Sequence, residues 1–296
     1  MIDLFEKIKS QKILLADGAW GTMLFEKGLQ QGECPELWNI TNKERVFDIA
    51  KQYVAAGSDI VETNSFGGSV IKLEHYNLGS RTEEINIEAA NISREAAGNE
   101  KLVFGSMGPC GKILIMGDVT EDQIYDSFSL QAKSLVKGGS DALIIETMTA
   151  LDEALIAIRA CKENTSVPII CTFTFDKTIN NDYRTMMGIS PEEMCKALIS
   201  AGVDVVGSNC GNGFDGMIEI AKELRKISSK IPIMIQANAG MPELVEEKVV
   251  YPEKPDEMAE KIPALINLGV SIIGGCCGTT PAHISKFSQI INQFAH

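Results

Sequence analysis

The chain repeats one unit, a short apolar run followed by a longer segment with helical spacing. Eight of the runs have the length of a β-strand, and they lie at 13–16, 58–63, 102–106, 142–146, 168–173, 203–209, 231–237 and 271–276. The intervening patterns predict helices at 45–56, 82–97, 121–137, 151–163, 191–201, 214–228, 256–268 and 281–294. Because eight βα units close a parallel barrel, we predict an α/β fold of the (β/α)8 TIM barrel type.

Four junctions between a predicted helix and the next strand look alike, which supports the repeat. Each places a glycine where a helix C′ residue would adopt a left-handed conformation, at Gly57, Gly139, Gly202 and Gly269. An open doubly wound sheet is the alternative, but DGAWGT at 17–22 has the wrong glycine spacing for a dinucleotide fingerprint. No linker or low-complexity segment interrupts the pattern, so residues 1–296 are predicted to form one domain.

The charge balance and the apolar pattern exclude several partners. Lys and Arg number 27 against 40 Asp and Glu, and the formal net charge of −13 gives no attraction to phosphate backbones or anionic lipid. No signal-peptide pattern and no uninterrupted apolar stretch of about 18 residues is present. We therefore expect a cytoplasmic protein that binds neither nucleic acid nor a membrane.

The chain contains eight cysteines, and a reducing compartment favours burial or metal binding over disulfides. Three lie inside apolar segments, where a small buried hydrophobic residue is expected: Cys161, Cys171 and Cys195. Two lie in loops beside proline, where we expect a structural role: Cys34 and Cys110. The remaining three are at the ends of predicted strands.

In a TIM barrel the active site forms at the carboxyl ends of the strands. The polar or reactive residues there are Asp17, Glu62, Thr63, Asn64, Glu146, Asn209, Cys210, Asn238, Cys276 and Cys277. Strands six and eight are separated by one strand, so Cys210 can approach Cys276 and Cys277. Adjacent cysteines are poor disulfide partners, because a trans peptide holds their Cα atoms about 3.8 Å apart.

These three cysteines, Cys210, Cys276 and Cys277, match the ligand count of a catalytic zinc site, which has three protein ligands and one open position. Both adjacent cysteines can bind one ion only if the strand ends there, and the glycines of GGCCGT permit that turn. Coordination to zinc deprotonates a thiol, and the thiolate can attack a methyl group on sulfonium, quaternary nitrogen or cobalt. The sequence thus indicates methyl transfer to a thiol substrate.

Two other interpretations of the cysteines stay open. The adjacent pair can be two small buried hydrophobic residues at a strand end. A zinc-binding scaffold subunit without catalytic activity is the second, but a structural site normally has four protein ligands. His283 is the nearby candidate for a fourth ligand, and its place early in the last helix favours a helix-terminal hydrogen bond instead.

Four motifs carry a resemblance to a known family: DGAWGTML at 17–24, ETNSFGG at 62–68, GSNCGNG at 207–213 and GGCCGTTPAHI at 274–284. Together they resemble the homocysteine S-methyltransferase family, most closely the homocysteine-binding module of cobalamin-dependent methionine synthase. The resemblance spans nearly the whole chain. It implies a TIM barrel in which zinc on the residues matching Cys210, Cys276 and Cys277 activates homocysteine, which is methylated to methionine.

The same resemblance implies the other site residues and the partners. Asp17, Gly18 and Glu146 lie in the segments that hold the amino acid part of homocysteine, and Asn209 is grouped with them; a buried acid satisfied by backbone amides is the alternative for Asp17 and Glu146. DGAWGTML and ETNSFGG look closer to the cobalamin-dependent branch, which implies a methylated corrinoid on a separate protein as donor.

S-methylmethionine or betaine is the alternative donor, and Trp20 and Trp38 can provide ring faces for such a cation or pack in the core. Another enzyme alternative is a corrinoid-system methyltransferase acting on a different thiol or a methylated substrate.

Overall fold

Eight parallel strands form one sheet in the computed structural model, which describes residues 2–11, 13–245 and 248–294. They are β1 (Leu14–Leu15), β2 (Ile60–Glu62), β3 (Leu102–Met107), β4 (Ala142–Met148), β5 (Ile169–Phe173), β6 (Val205–Asn209), β7 (Ile233–Ala237) and β8 (Ile272–Gly275). Each predicted strand segment overlaps one of them, and β3 and β4 extend one and two residues beyond the predicted ends.

The sheet closes on itself. Its order is β1, β8, β7, β6, β5, β4, β3, β2, so β1 and β2 stand at its two edges. Asp59, just before β2, joins these edges: its N–H donates to the Leu15 carbonyl at 2.7 Å, and its Oδ2 accepts from the Leu15 N–H at 3.1 Å. The prediction of a (β/α)8 barrel is confirmed.

Helices cover the outside of the barrel. The α-helices are Leu4–Gln11, Trp20–Glu26, Trp38–Thr41, Lys43–Ala55, Val70–Leu73, Thr82–Ala97, Glu121–Lys137, Leu151–Asn164, Pro191–Ala201, Phe214–Ile227, Pro255–Ala259, Ile262–Asn267 and Pro281–Phe294. Short 3-10 turns lie at Pro35–Leu37, Glu74–Tyr76, Gly79–Arg81 and Leu114–Met116. Two-stranded hairpins follow β5 (Asp176–Lys177 with Tyr183–Arg184) and β7 (Glu243–Val245 with Lys248–Val250).

One helix prediction was wrong. The segment 256–268, expected to be one helix, is two, Pro255–Ala259 and Ile262–Asn267. Pro263 falls inside the predicted stretch, where it has no N–H for the carbonyl four residues earlier and its ring collides with that carbonyl. The proline is accommodated because it lies in the first turn of the second helix.

Local sequence signals set other helix ends. Thr120 and Gln123 form a capping box before Glu121–Lys137, and Ser190 with Glu193 forms another before Pro191–Ala201. The predicted C′ glycines all have positive φ: Gly57 (104°), Gly139 (104°), Gly202 (75°) and Gly269 (73°). Among the described residues, no helix is long and apolar enough to cross a bilayer.

Alternate strand residues fill the barrel. The interior cluster comprises Leu14, Ala16, Ile60, Leu102, Phe104, Ala142, Ile144, Ile170, Val205, Met234 and Ile272, all fully buried. Leu4 of the first helix belongs to the same cluster. That helix therefore closes the amino end of the barrel and leaves the carboxyl ends of the strands to form the site.

Candidate metal centre

The strand register brings the three strand-end cysteines to one level. Asn209 at the end of β6 pairs with Gln236 of β7, and Gly275 at the end of β8 pairs with Ala237, the next residue of β7. Cys210 and Cys276 therefore leave the sheet at nearly equal heights on either side of β7.

The sulfurs of Cys210, Cys276 and Cys277 lie within 4.8 Å of one another, and those of Cys210 and Cys277 are 3.7 Å apart. Tetrahedral zinc with Zn–S bonds of 2.3 Å separates two sulfurs by about 3.8 Å. The three side chains thus fit a zinc ion in spacing and in ligand type. Among the described residues, no further His, Cys, Asp or Glu side chain belongs to this cluster.

The backbone turns at both strand ends make the convergence possible. β8 ends at Gly275, so the alternation of a strand does not force Cys276 and Cys277 to opposite faces, and Gly278 beyond them has φ of 80°. Cys210 itself has φ of 60°, a left-handed conformation that is uncommon for a residue with a Cβ. Its N–H donates to the Gln236 carbonyl at 3.1 Å, which holds the turn.

The close sulfurs also change one another's acidity. Hydrogen bonds from Cys210 and Cys276 lower the pKa of Cys277 to about 3, and Tyr251 contributes in the same direction. The same contacts raise the pKa of Cys276 well above its usual value, because this thiol is a donor. The hydrogen bonds within the cluster therefore favour the thiolate form of Cys277 over that of Cys276.

All three cysteines line a cavity of about 310 Å³ at the mouth of the barrel. Its wall includes the carboxyl groups of Glu36, Glu62 and Glu146, and no Lys, Arg or His of the described residues. Trp20 and Phe66 add aromatic surface. The aromatic faces in this lining suit a cationic group.

Buried carboxyl groups lie beneath the cavity. Asp17 is fully buried; its Oδ2 accepts from the Trp20 indole N–H at 3.0 Å and from the Glu62 N–H at 2.8 Å, while Oδ1 has no hydrogen-bond partner among the described residues. Glu62 Oε1 accepts from Gln236 at 2.7 Å, and Glu146 accepts from the Ser106 hydroxyl.

Burial sets the acidity of these groups. It raises the pKa values of Asp17 and Glu146 to about 7 and that of Glu62 well above its usual range, and the nearby carboxyls raise those of Asp17 and Glu62 further.

The residues predicted to bind substrate occupy different positions. Gly18 and Glu146 line the cavity. Asp17 and Asn209 are fully buried behind the wall. Gly18 tolerates no side chain, since a Cβ there would lie 2.7 Å from the Thr279 hydroxyl oxygen.

The other strand-end predictions divide in the same way. Glu62, Thr63 and Asn64 line the cavity, whereas Asn238 does not. Trp38 is buried in the main core, so core packing is the outcome for that tryptophan, while Trp20 lines the cavity.

The remaining cysteines are buried, as expected: Cys34, Cys110, Cys161, Cys171 and Cys195. His283 accepts from the Thr280 N–H at 3.1 Å, the hydrogen bond expected near a helix start.

Two residues near the centre were missed from the sequence. Glu36 lines the cavity from the loop after β1, where its Oε1 accepts from the Gly67 N–H at 2.7 Å. Tyr251 lies beyond the hairpin after β7 and packs against Gly278 beside Cys277. Neither follows a strand of the barrel, so the rule for the ends of barrel strands gives no signal for them.

Comparisons with known proteins agree with this fold. The metallated form of the homocysteine methyltransferase MmuM from Escherichia coli superposes with a TM-score of 0.79 at 21% identity, covering 97% of this chain and 99% of that one. A methyltransferase from Methanosarcina mazei gives a TM-score of 0.62 at 11% identity, covering 96% and 95%. At these identities the likeness shows the fold.

Sequence relatives are closer. Methionine synthase of Mycobacterium tuberculosis (strain ATCC 25618 / H37Rv) is 31% identical over 304 residues, which cover 96% of this chain and 25% of that protein. Methionine synthase of Mycobacterium leprae (strain TN) is 30% identical over 307 residues, covering 98% and 25%. The chain thus spans about a quarter of the length of these relatives. The family model for homocysteine S-methyltransferase matches residues 14–291, and the chain belongs to the homocysteine S-methyltransferase family.

Proposed function

We propose that this protein transfers a methyl group to the sulfur of homocysteine, with a zinc ion held by Cys210, Cys276 and Cys277. The observation that carries the proposal is the convergence of three sulfurs, two of them 3.7 Å apart, on the wall of a cavity. Three ligands leave one position of a tetrahedral ion for the substrate. When bound there, zinc supplies the charge that keeps a substrate thiol deprotonated at neutral pH.

The remaining groups suit the amino acid part of homocysteine. Glu146 presents a carboxyl group to the cavity and can pair with an ammonium group, while Gly18 lines the cavity at the end of β1, where its backbone can contact a ligand. Asp17 lies directly behind Gly18 with an unpartnered Oδ1. We propose these three, with Asn209 behind them, as the substrate-recognition residues.

For the donor, we propose a methylated corrinoid carried by a separate protein. The support is the similarity to relatives named methionine synthase. This chain matches about a quarter of their length, so in those relatives the matching segment is accompanied by other parts of the protein. A specific observation favours a second candidate, a small cation such as S-methylmethionine or betaine. The cavity has three carboxyl groups, two aromatic rings and, among the described residues, no basic side chain.

A non-catalytic zinc scaffold has less support. Thiolates that only close a structural site would be enclosed by four protein ligands, whereas these three face a cavity. We propose that residues 1–296 act as one domain and that the protein works in the cytoplasm, where the reducing poise keeps eight free thiols unbridged.

Calorimetric titration tests the acceptor. Zinc-loaded protein should bind homocysteine and release a proton, while protein stripped with a chelator should not; binding that is unaffected by zinc would exclude the mechanism. Methyl-transfer assays that pair homocysteine with a methylated corrinoid protein, free methylcobalamin, S-methylmethionine and betaine then decide the donor. A different thiol that is methylated in preference to homocysteine would identify the corrinoid-system alternative.

A further inference from the structure

The Asn209 side chain uses its full hydrogen-bonding capacity. Its Oδ1 accepts from the Thr147 N–H at 2.8 Å and from the Thr172 hydroxyl at 2.7 Å. Its Nδ2 donates to the Thr147 hydroxyl at 2.7 Å and to Glu146 Oε2 at 3.3 Å. An amide has two acceptor sites and two donor hydrogens, so none is left for a ligand.

The orientation of this amide is fixed by its partners. A backbone N–H can only donate, so the oxygen of Asn209 must face Thr147 N and the nitrogen must face Glu146. The side chain is fully buried and does not line the cavity. It therefore acts on neighbouring residues and not on the contents of the cavity.

The backbone that Asn209 holds is strained. Thr147 has φ of 58°, a left-handed conformation that is unfavourable for a β-branched residue and persists only where the surroundings enforce it. Thr147 lines the cavity directly after Glu146. Two of the four hydrogen bonds of Asn209 are made with Thr147, so Asn209 helps to hold Thr147 in this conformation.

Glu146 is held from two sides. Ser106 donates to its Oε1 and Asn209 donates to its Oε2. Asn209 is also the residue before Cys210, so the same strand end carries a candidate zinc ligand and the group that fixes the candidate ammonium ligand.

We infer that Asn209 is a positioning residue, which fixes the direction of the Glu146 carboxyl group and the turn at Thr147 relative to Cys210, and does not itself touch the substrate. The inference rests on the proposed function, because it concerns how homocysteine would be held. It predicts a loss of substrate affinity when the Asn209 donor is removed, with the cysteine cluster unaffected.

The test is Asn209→Asp in the zinc-loaded full chain. The substitution keeps an oxygen for Thr147 N–H and Thr172. At a pH high enough to ionise both carboxyl groups, where the binding is measured, it replaces the donor that faces Glu146 by a second carboxylate oxygen. We expect zinc content equal to wild type and a Kd for homocysteine raised about tenfold to a hundredfold, the range for losing a hydrogen bond to a charged group.

Ser208→Ala is the matched control. Ser208 precedes Asn209 on β6, is equally buried, and donates only to the Phe173 carbonyl at 2.9 Å. It should lower the thermal midpoint and leave the Kd for homocysteine unchanged. The double variant Asn209→Asp/Glu146→Gln should regain part of the thermal midpoint lost by Asn209→Asp, since the new amide can donate to the new carboxylate.

The outcomes separate the two proposals. Wild-type protein that binds no homocysteine with zinc present overturns both. A wild type that binds, with an Asn209→Asp variant of equal affinity, overturns only the positioning role. Loss of zinc in Asn209→Asp would mean that Asn209 serves the cysteine turn, and absence of recovery in the double variant would mean that it does not act through Glu146; either result overturns the inference.

Discussion

Removing one sulfur of the cysteine cluster is the most direct test of the metal centre. In Cys276→Ala the turn should persist, because the backbone N–H of residue 276 donates to the Ala237 carbonyl at 2.7 Å and its carbonyl accepts from the Thr279 N–H at 3.0 Å. What is lost is one of three sulfurs that lie within 4.8 Å of one another. Two thiolates cannot provide the ligand set of the proposed zinc site.

The size of the effect follows from linkage. An ion that binds only the folded state at a free concentration one hundred times its Kd adds about 2.7 kcal/mol of stability. For a chain somewhat above 250 residues, each kcal/mol moves the thermal midpoint by about 2 °C, so zinc should raise that of the wild type by about 5 °C. In Cys276→Ala the rise at the same zinc concentration should be below about 1 °C.

Thermal unfolding with and without zinc, together with metal analysis after dialysis, measures this. Cys195→Ala is the matched control: Cys195 is a fully buried thiol in the helix Pro191–Ala201, outside the cluster. It should lower the midpoint of the metal-free protein and keep the full zinc-dependent rise. A Cys276→Ala protein that retains one zinc per chain and the full rise would refute the three-sulfur centre.

Three further predictions concern stability. Folded Asp17 keeps its proton to about pH 7, whereas the unfolded chain loses it near 3.8, so the free energy of unfolding should fall as pH rises between these values, by about 4 kcal/mol at most. In urea titrations at pH 5 and pH 8, Asp17→Asn should reduce this pH-dependent decrease in the free energy of unfolding. An unchanged decrease would mean that other groups cause it. Gly207→Ala should prevent folding or cost over about 3 kcal/mol, because its Cβ would lie 2.0 Å from the Met234 carbonyl oxygen, and a soluble variant with a wild-type midpoint would contradict the packing. Gly98→Ala has open space around the Cβ, but φ of 62° with ψ of −146° is a conformation close to one that essentially only glycine adopts, so it should cost about 1–3 kcal/mol in the same denaturation assay.

The fold was predictable because its signals are local. A parallel strand buried on both faces must be apolar along its length, and a glycine at a helix C′ position is favoured wherever φ is positive. The one wrong helix shows the limit of periodicity. Its apolar spacing continued through Pro263, but the missing N–H of that residue divided the segment.

The cysteine trio was also predictable, since its members lie within two residues of the ends of β6 and β8. What spacing cannot give is the direction of a side chain. Asp17, Glu146 and Asn209 were also predicted from their positions at strand ends, yet of these three only Glu146 lines the cavity. Glu36 reaches it from the 3-10 turn Pro35–Leu37, where its carboxyl group accepts a hydrogen bond from the Gly67 N–H.

The sequence by itself determined the barrel, the order of its units and the three candidate ligands, because these depend on residue type and on position relative to a strand end. The tertiary structure decided that β8 stops before its two cysteines, that two sulfurs stand 3.7 Å apart, and that Asn209 has no free hydrogen-bonding group. Distances of this kind are set by strand register and by backbone turns between segments far apart in the chain, such as β6 and β8 on either side of β7.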